Sequence, residues 1–150
     1  MKVLSLFDGI SCGMLALQRA GIPVECYDAF EIDKYAVTVS KRNFPVIVHH
    51  GNVYDGDFTQ FKGYDLLLGG SPCTYWSIAK KDREIDCNGE GFRLFQEYVR
   101  ALEESGCQYF LYENNYSVHQ NIKDEITRVL GVGPIMINSA LVSAQNRKRC

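Results

Sequence analysis

Three groups of residues in this chain could act together on a polar ring. Cys73 ends the run Gly69-Gly70-Ser71-Pro72-Cys73, directly after the apolar stretch Tyr64-Asp65-Leu66-Leu67-Leu68. Glu113 follows Phe110-Leu111-Tyr112. Arg147 and Arg149 alternate within Gln145-Asn146-Arg147-Lys148-Arg149, so an extended backbone would put both on one face. A thiolate attacks electron-poor carbon, a carboxyl holds or gives a proton, and a guanidinium grips an oxygen edge with two parallel donors. A Gly-Gly-Ser-Pro lead-in packs poorly and turns well, which argues for an exposed thiol over the buried, inert cysteine that is the commoner fate. Glu113 stands where a strand leaves the core. Partial burial there would favour its protonated form, while a solvated strand-end acid is the plainer reading. For the arginines the plainer reading is a solvated basic patch.

A second group has a different character. Phe7-Asp8-Gly9-Ile10-Ser11-Cys12-Gly13 follows an apolar strand pattern and leads into a helix pattern. Glycines there admit a ligand to the backbone, and a helix start offers free N–H groups. Glu31 ends the next strand pattern, eighteen residues after Gly13. That is close to the spacing of about 20 expected for an acid that binds ribose hydroxyls. The glycines do not follow G-x-G-x-x-G, so a nucleoside cofactor fits better than a dinucleotide. Asn52-Val53 follows the third strand pattern and could meet an adenine edge. A tight turn with a surface glutamate, and an asparagine that merely makes a turn, remain open alternatives.

These groups need a scaffold, and the sequence offers one. Strand patterns at Val3–Phe7, Val24–Phe30, Val46–His49, Asp65–Leu68 and Tyr109–Tyr112 alternate with helix patterns at Gly13–Ala20, Asp33–Phe44, Phe92–Glu104 and Val118–Leu130. A further strand begins at Ile135–Ile137. This alternation predicts an α/β fold, a mostly parallel sheet with helices on both faces. Strand-end loops are where such folds hold ligands. Thr74–Gly91 is long, polar and glycine-terminated, the composition of a lid over a site. Its Trp76, Lys80, Lys81 and Arg83 could face a ligand, or Trp76 could simply pack beneath the loop.

At 150 residues the chain fits one domain, residues 1–150, with room for a real core. Charged residues make up 23% and hydrophobic residues 46%, an ordinary globular balance, and no apolar run reaches membrane-spanning length. The net charge of −2 leaves a nucleic-acid partner open, since a local cationic face suffices. The six cysteines form no C-x-x-C pair, which argues against a disulfide framework or zinc site and for reduced thiols in a cytosolic setting.

In order, these motifs resemble the cytosine-C5 DNA methyltransferases, with details similar to their de novo-type eukaryotic and phage-like branches. Phe7-Asp8-Gly9 looks like the family's first cofactor motif and Glu31-Ile32-Asp33-Lys34-Tyr35 like its ribose-binding motif. Gly70-Ser71-Pro72-Cys73 looks like its Pro-Cys motif, Glu113-Asn114 like its Glu-Asn motif, and Gln145-x-Arg147-x-Arg149 like its Gln-x-Arg-x-Arg motif. The resemblance implies a Rossmann-like methyltransferase fold, incomplete at the C-terminus, with S-adenosylmethionine as cofactor and double-stranded DNA with a flipped cytosine as substrate. It implies catalytic roles for Cys73, Glu113, Arg147 and Arg149. It implies cofactor contacts at Phe7, Asp8, Gly9, Ile10, Ser11, Gly13, Glu31, Ile32, Asn52, Val53, Ser71 and Pro72, and no metal.

The chain departs from the family pattern in having Ser11 near a usual Gly, Asn52 near a usual Asp, Thr74 after the nucleophile and Asn115 where Val is usual. Family members continue past the arginine motif with a target-recognition region. The expectation is therefore a truncated catalytic half, with the alternative of a cofactor-binding fragment or split subunit completed by a second chain. Methylation of RNA is a further alternative. The setting would be bacterial or phage-infected cytoplasm, or a nucleus if eukaryotic.

Overall fold

The computed structural model describes residues 1–77 and 80–150. Contacts divide the chain into two compact units. The first comprises 1–70 and 100–112, the second 71–99 and 113–150.

The first unit is built on a parallel sheet of β1 (Lys2–Leu6), β2 (Cys26–Phe30), β3 (Val48–His49), β4 (Leu66–Gly69) and β5 (Tyr109–Tyr112), in the order β3-β2-β1-β4-β5. Val3 lies opposite Tyr27 on one side and Leu66 on the other, and the register continues to Tyr109. Residues in register share a face. Met14 and Leu17 of α1 (Cys12–Arg19) therefore pack over Val3, Tyr27 and Ala29, with Leu66 and Leu68 partly covered beside them. The opposite face carries Phe30, whose ring meets Phe58 at 5.2 Å and Phe61 at 6.0 Å in edge-on contacts. On the α1 face of β5, Tyr109 and Leu111 remain 56% and 57% exposed.

Helix α2 (Lys34–Asn43) starts where Asp33 caps it by accepting from the Tyr35 and Ala36 N–H groups. In the second unit, α4 (Gln120–Leu130) is capped by His119, whose ring nitrogen accepts from the Asn121 N–H, and its first residue, Gln120, comes two residues later than the periodicity predicts. The reason is Val118, which is buried as a loop residue ahead of the cap. The strand expected from Ile135 is only Ile137–Asn138 (β6). It pairs antiparallel with β7 (Lys148–Arg149) and lies outside the parallel sheet. Helix α3 runs from Glu90 to Ser105. Among the described residues no helix is long and apolar enough to cross a membrane, and no group of acidic, histidine or cysteine side chains could hold a metal.

Candidate active site

The turn after β1 is organised by one carboxylate. Asp8 accepts from Ser5 Oγ at 2.6 Å, Tyr27 Oη at 2.7 Å and Ser11 Oγ. Ser11 is fully buried, and its hydroxyl also meets Ser40 Oγ of α2 at 2.5 Å, which in turn lies 3.1 Å from His49 Nε2. Because a carboxylate only accepts, Ser11 donates to Asp8, Ser40 to Ser11 and His49 Nε2–H to Ser40. That direction leaves His49 Nδ1 as a buried acceptor without a partner. Burial pushes the His49 imidazole below its ordinary value, and burial beside Asp8 pushes the Tyr27 phenol up.

Phe7 and Ser11 both adopt the left-handed conformation, with φ of 57° and 65°. Each costs about 1–3 kcal/mol that surrounding contacts must offset. This backbone explains why glycine is usual near Ser11, and the two hydroxyl contacts explain how serine is held there. Gly13 is needed for closeness instead. A Cβ there would stand 2.8 Å from Leu68 Cδ1 and 2.9 Å from Tyr27 Oη.

Glu31 ties the ends of β1 and β2. One oxygen accepts from Gly9 N at 2.8 Å, the other from Ile32 N and Asp33 N at 2.8 Å each. Asn52 does make the turn: its Oδ1 accepts from Tyr54 N at 3.2 Å. Its amide nitrogen has no partner among the described residues. The segment behind it is fastened by Arg100, which donates to Val53 O at 3.1 Å and Gly56 O at 3.0 Å and lies over the Phe58 ring. Val53 itself is buried.

These features fit a nucleoside cofactor. Ile10 and Ile32 are 50% and 76% exposed at adjoining strand ends, two apolar faces suited to a flat ring. A Cβ on left-handed Gly9 would meet nothing within 4 Å, so the backbone there faces open space. Glu31 keeps acceptor capacity for ribose hydroxyls beyond its three N–H contacts.

The second unit holds Cys73, Glu113, Arg147 and Arg149, the residues expected to be catalytic. Pro72 leads into a short 3-10 turn at Cys73–Tyr75 that leaves Cys73 exposed, as its glycine-rich lead-in predicts. By contrast, burial pushes the thiols of Cys87, Cys107 and Cys150 up. Asn114, 4% exposed, donates from Nδ2 to Ser71 O at 3.0 Å. The residue after Glu113 is thus bonded to the residue two before Cys73. Asn114 also exchanges both backbone hydrogen bonds with Cys150, at 2.8 and 3.0 Å, which brings the arginine motif alongside.

Arg149 Nε then meets Glu113 Oε1 at 2.6 Å. The Glu113 side chain is half-buried, at 50% exposure, and its charge is ion-paired. Arg147 does not join this pair. Its backbone N–H donates to Asn138 Oδ1, and its guanidinium has no partner among the described residues. Ser71 is buried and Pro72 partly so.

The Thr74–Gly91 segment is fastened at several points. Glu84 N donates to Tyr75 O, Gly91 N to Glu84 Oε2, and Arg83 Nη1 to Ser117 O at 3.0 Å. Ile78 and Ala79, within the expected lid, lie outside the described residues. Trp76 packs beneath the loop, fully buried, instead of facing a ligand. A Cβ at Gly91 would stand 2.5 Å from its indole nitrogen, so this glycine makes room for the ring. Sequence reasoning missed Ser5, Tyr27, Ser40 and Arg100, whose contacts span 3 to 47 residues and leave no local motif.

A family model for C-5 cytosine-specific DNA methylases matches residues 1–130. The chain belongs to that family. It is 37% identical over 117 residues to an orphan methyltransferase, M.SPRI, of Bacillus phage SPR, covering 76% of this chain and 26% of the relative. It is 33% identical over 116 residues to the type II methyltransferase M.HgiCII of Herpetosiphon aurantiacus, covering 75% and 25%. The chain thus spans about a quarter of the length of these relatives. Two solved structures share its fold. S. pombe Dnmt2 methyltransferase has a TM-score of 0.71 at 17% identity, and a Spodoptera frugiperda DNMT2 mutant has 0.74 at 22%. Each comparison covers 99% of this chain, and 47% and 48% of those structures respectively. The α/β expectation holds: this is the mostly parallel sheet of a methyltransferase fold.

Proposed function

We propose that this chain carries the methyl-transfer chemistry of a DNA (cytosine-5-)-methyltransferase, acting on a cytosine flipped from its stack. The observation that supports it most is the Asn114–Ser71 hydrogen bond, which fastens the Glu113–Arg149 pair beside the exposed-thiol loop. Cytosine C5 is a poor nucleophile. Cys73 Sγ bonds to C6 and pushes electron density to C5, converting the ring to an enamine. Glu113 lies against the N3 and exocyclic amine edge and stabilises that form, while Arg149 donates to the O2 edge. S-adenosylmethionine, held by Glu31, Ile10, Ile32, Asn52 and the backbone at Gly9, supplies an electrophilic methyl when bound. After C5 is methylated, its proton passes to solvent and cleavage of the C6–S bond restores the aromatic ring and expels the Cys73 thiolate. Flipping costs a few kcal/mol of unstacking, which DNA contacts must supply.

Two measurements test this reading. Cys73→Ala should lower methyl transfer by at least ~10³-fold with cofactor affinity unchanged. DNA carrying 5-fluorocytosine, incubated with chain and cofactor, should form a covalent adduct, because fluorine does not leave as a proton does. Methylation by the alanine variant at the normal rate would refute the nucleophile. Cofactor binding by a wild-type chain that forms no adduct would leave it a cofactor-binding role alone.

A further inference from the structure

Outside the pair that faces the base, the second unit carries a cationic arrangement with no internal anion. Tyr116 is 43% exposed, and two ammonium groups lie over its ring: Lys123 Nζ at 5.0 Å and Lys148 Nζ at 5.7 Å from the centroid. The backbone fixes both. Tyr116 N donates to Lys148 O at 3.3 Å, and Lys123 Nζ donates to Tyr116 O at 3.4 Å. Among the described residues neither ammonium has a carboxylate partner. The acids nearby are occupied: Glu113 by Arg149, Asp124 by Gln120 at 2.7 Å, and Glu125 by both Arg128 donors at 2.8 and 2.6 Å.

Lys123 also stands at the start of α4, whose first turn holds no acidic residue. A cation there adds to the positive end of the helix dipole, where an acid would be favourable. Like charges gathered on one ring are recovered only in part by cation–π attraction, about 0.5–1 kcal/mol each at exposed sites. Such an arrangement is relieved by an anion. A flat aromatic plate flanked by two ammoniums matches a nucleic-acid strand, with phosphates on the lysines and a sugar or base against the ring.

We propose that Tyr116, Lys123 and Lys148 form a grip for backbone phosphates of the DNA strand beside the target cytosine. The proposal rests on the methyltransferase reading. Proximity along the chain supports it: Tyr116 and Lys148 pair through their backbones one register step from Arg149, so the grip adjoins the Glu113–Arg149 pair on the alternate face of that short ladder. Phosphate contacts position a strand without reading its sequence, so these residues set affinity and register.

The test is the salt dependence of binding by the full chain to a fluorescently labelled duplex oligonucleotide containing cytosines, followed by anisotropy. Each phosphate contact contributes about 0.9 to the slope of log affinity against log salt. Lys123→Ala combined with Lys148→Ala should flatten that slope by roughly 2. Lys148→Arg alone should keep the wild-type slope, and so should Lys62→Ala, a distant surface lysine. Adduct formation with 5-fluorocytosine DNA at low salt and saturating DNA should persist in the double variant, showing that it is folded. An unchanged slope in the double variant overturns the grip while the adduct leaves the methyltransferase reading standing. Wild-type chain that binds no duplex overturns both. A flattened slope without any adduct in wild type supports the grip and removes the nucleophile.

Discussion

Asp8 and Glu113 are both acidic residues just past the ends of parallel strands, and their surroundings are opposite. Asp8 accepts from three hydroxyls, two of them on fully buried side chains, and the network continues through Ser40 to His49. Glu113 is half exposed and meets one guanidinium. The loop after β1 is braced from within: the Asp8 carboxylate is matched by hydroxyls, the left-handed Ser11 is held by two of these contacts, and Glu31 fastens Gly9. Around Cys73 the scaffold is equally fixed, through Asn114 and its backbone exchange with Cys150, yet Cys73 and Glu113 themselves face solvent. A group that must touch a substrate gains from being left unmatched. A group that shapes a loop gains from being saturated.

This contrast can be broken by substitution. The largest effect expected is from Asp8→Ala, which strips three hydroxyls of their acceptor. Leaving buried donors unpaired costs about 1–3 kcal/mol each in the worst case, and relaxation brings the total to roughly 3–5 kcal/mol, read from urea unfolding. Equal destabilisation by Glu113→Gln would erase the distinction. Gly13→Ala comes next. Its new methyl meets Leu68 and Tyr27 below 3.0 Å, so overpacking should cost about 1–3 kcal/mol by the same assay. Glu113→Gln itself should change stability by no more than ~1 kcal/mol, as an exposed ion pair does, while lowering methyl transfer strongly.

The smallest effect concerns pH. Burial lowers the folded-state affinity of His49 for a proton, so below the ordinary histidine value of 6.5 the unfolded chain takes up more protons than the folded one. Stability should therefore fall as pH drops from about 6.5, and His49→Gln should flatten that decline in thermal melts across acidic buffers.

Much of this was legible in the sequence because alternating strand and helix patterns leave local traces. The five strands of the sheet, the Asp33 cap and the exposed Cys73 turn all follow from neighbouring residues. The Asp8 network does not, because Ser5, Tyr27 and Ser40 lie in three different elements and become neighbours only through the sheet register. The apolar lead-in of Glu113 predicts partial burial, and half of its side chain is covered; what the lead-in cannot tell is its ion-pair partner, Arg149, thirty-six positions later. Trp76 could not be placed from the sequence because a tryptophan in a polar loop suits either role. Gly91 held the clue, a glycine that makes room for the indole and for the Glu84 carboxylate.

The bare aromatic and leucine side chains of β5 have a practical meaning for work at the bench. Among the described strands β5 is an edge of the sheet, and Tyr109 and Leu111 stand exposed on one of its faces. Such a rim is a template for stray pairing. Concentrated samples will tend to cluster and scatter light, and a lysine in place of Tyr109 would act as a gatekeeper that keeps the chains apart in storage.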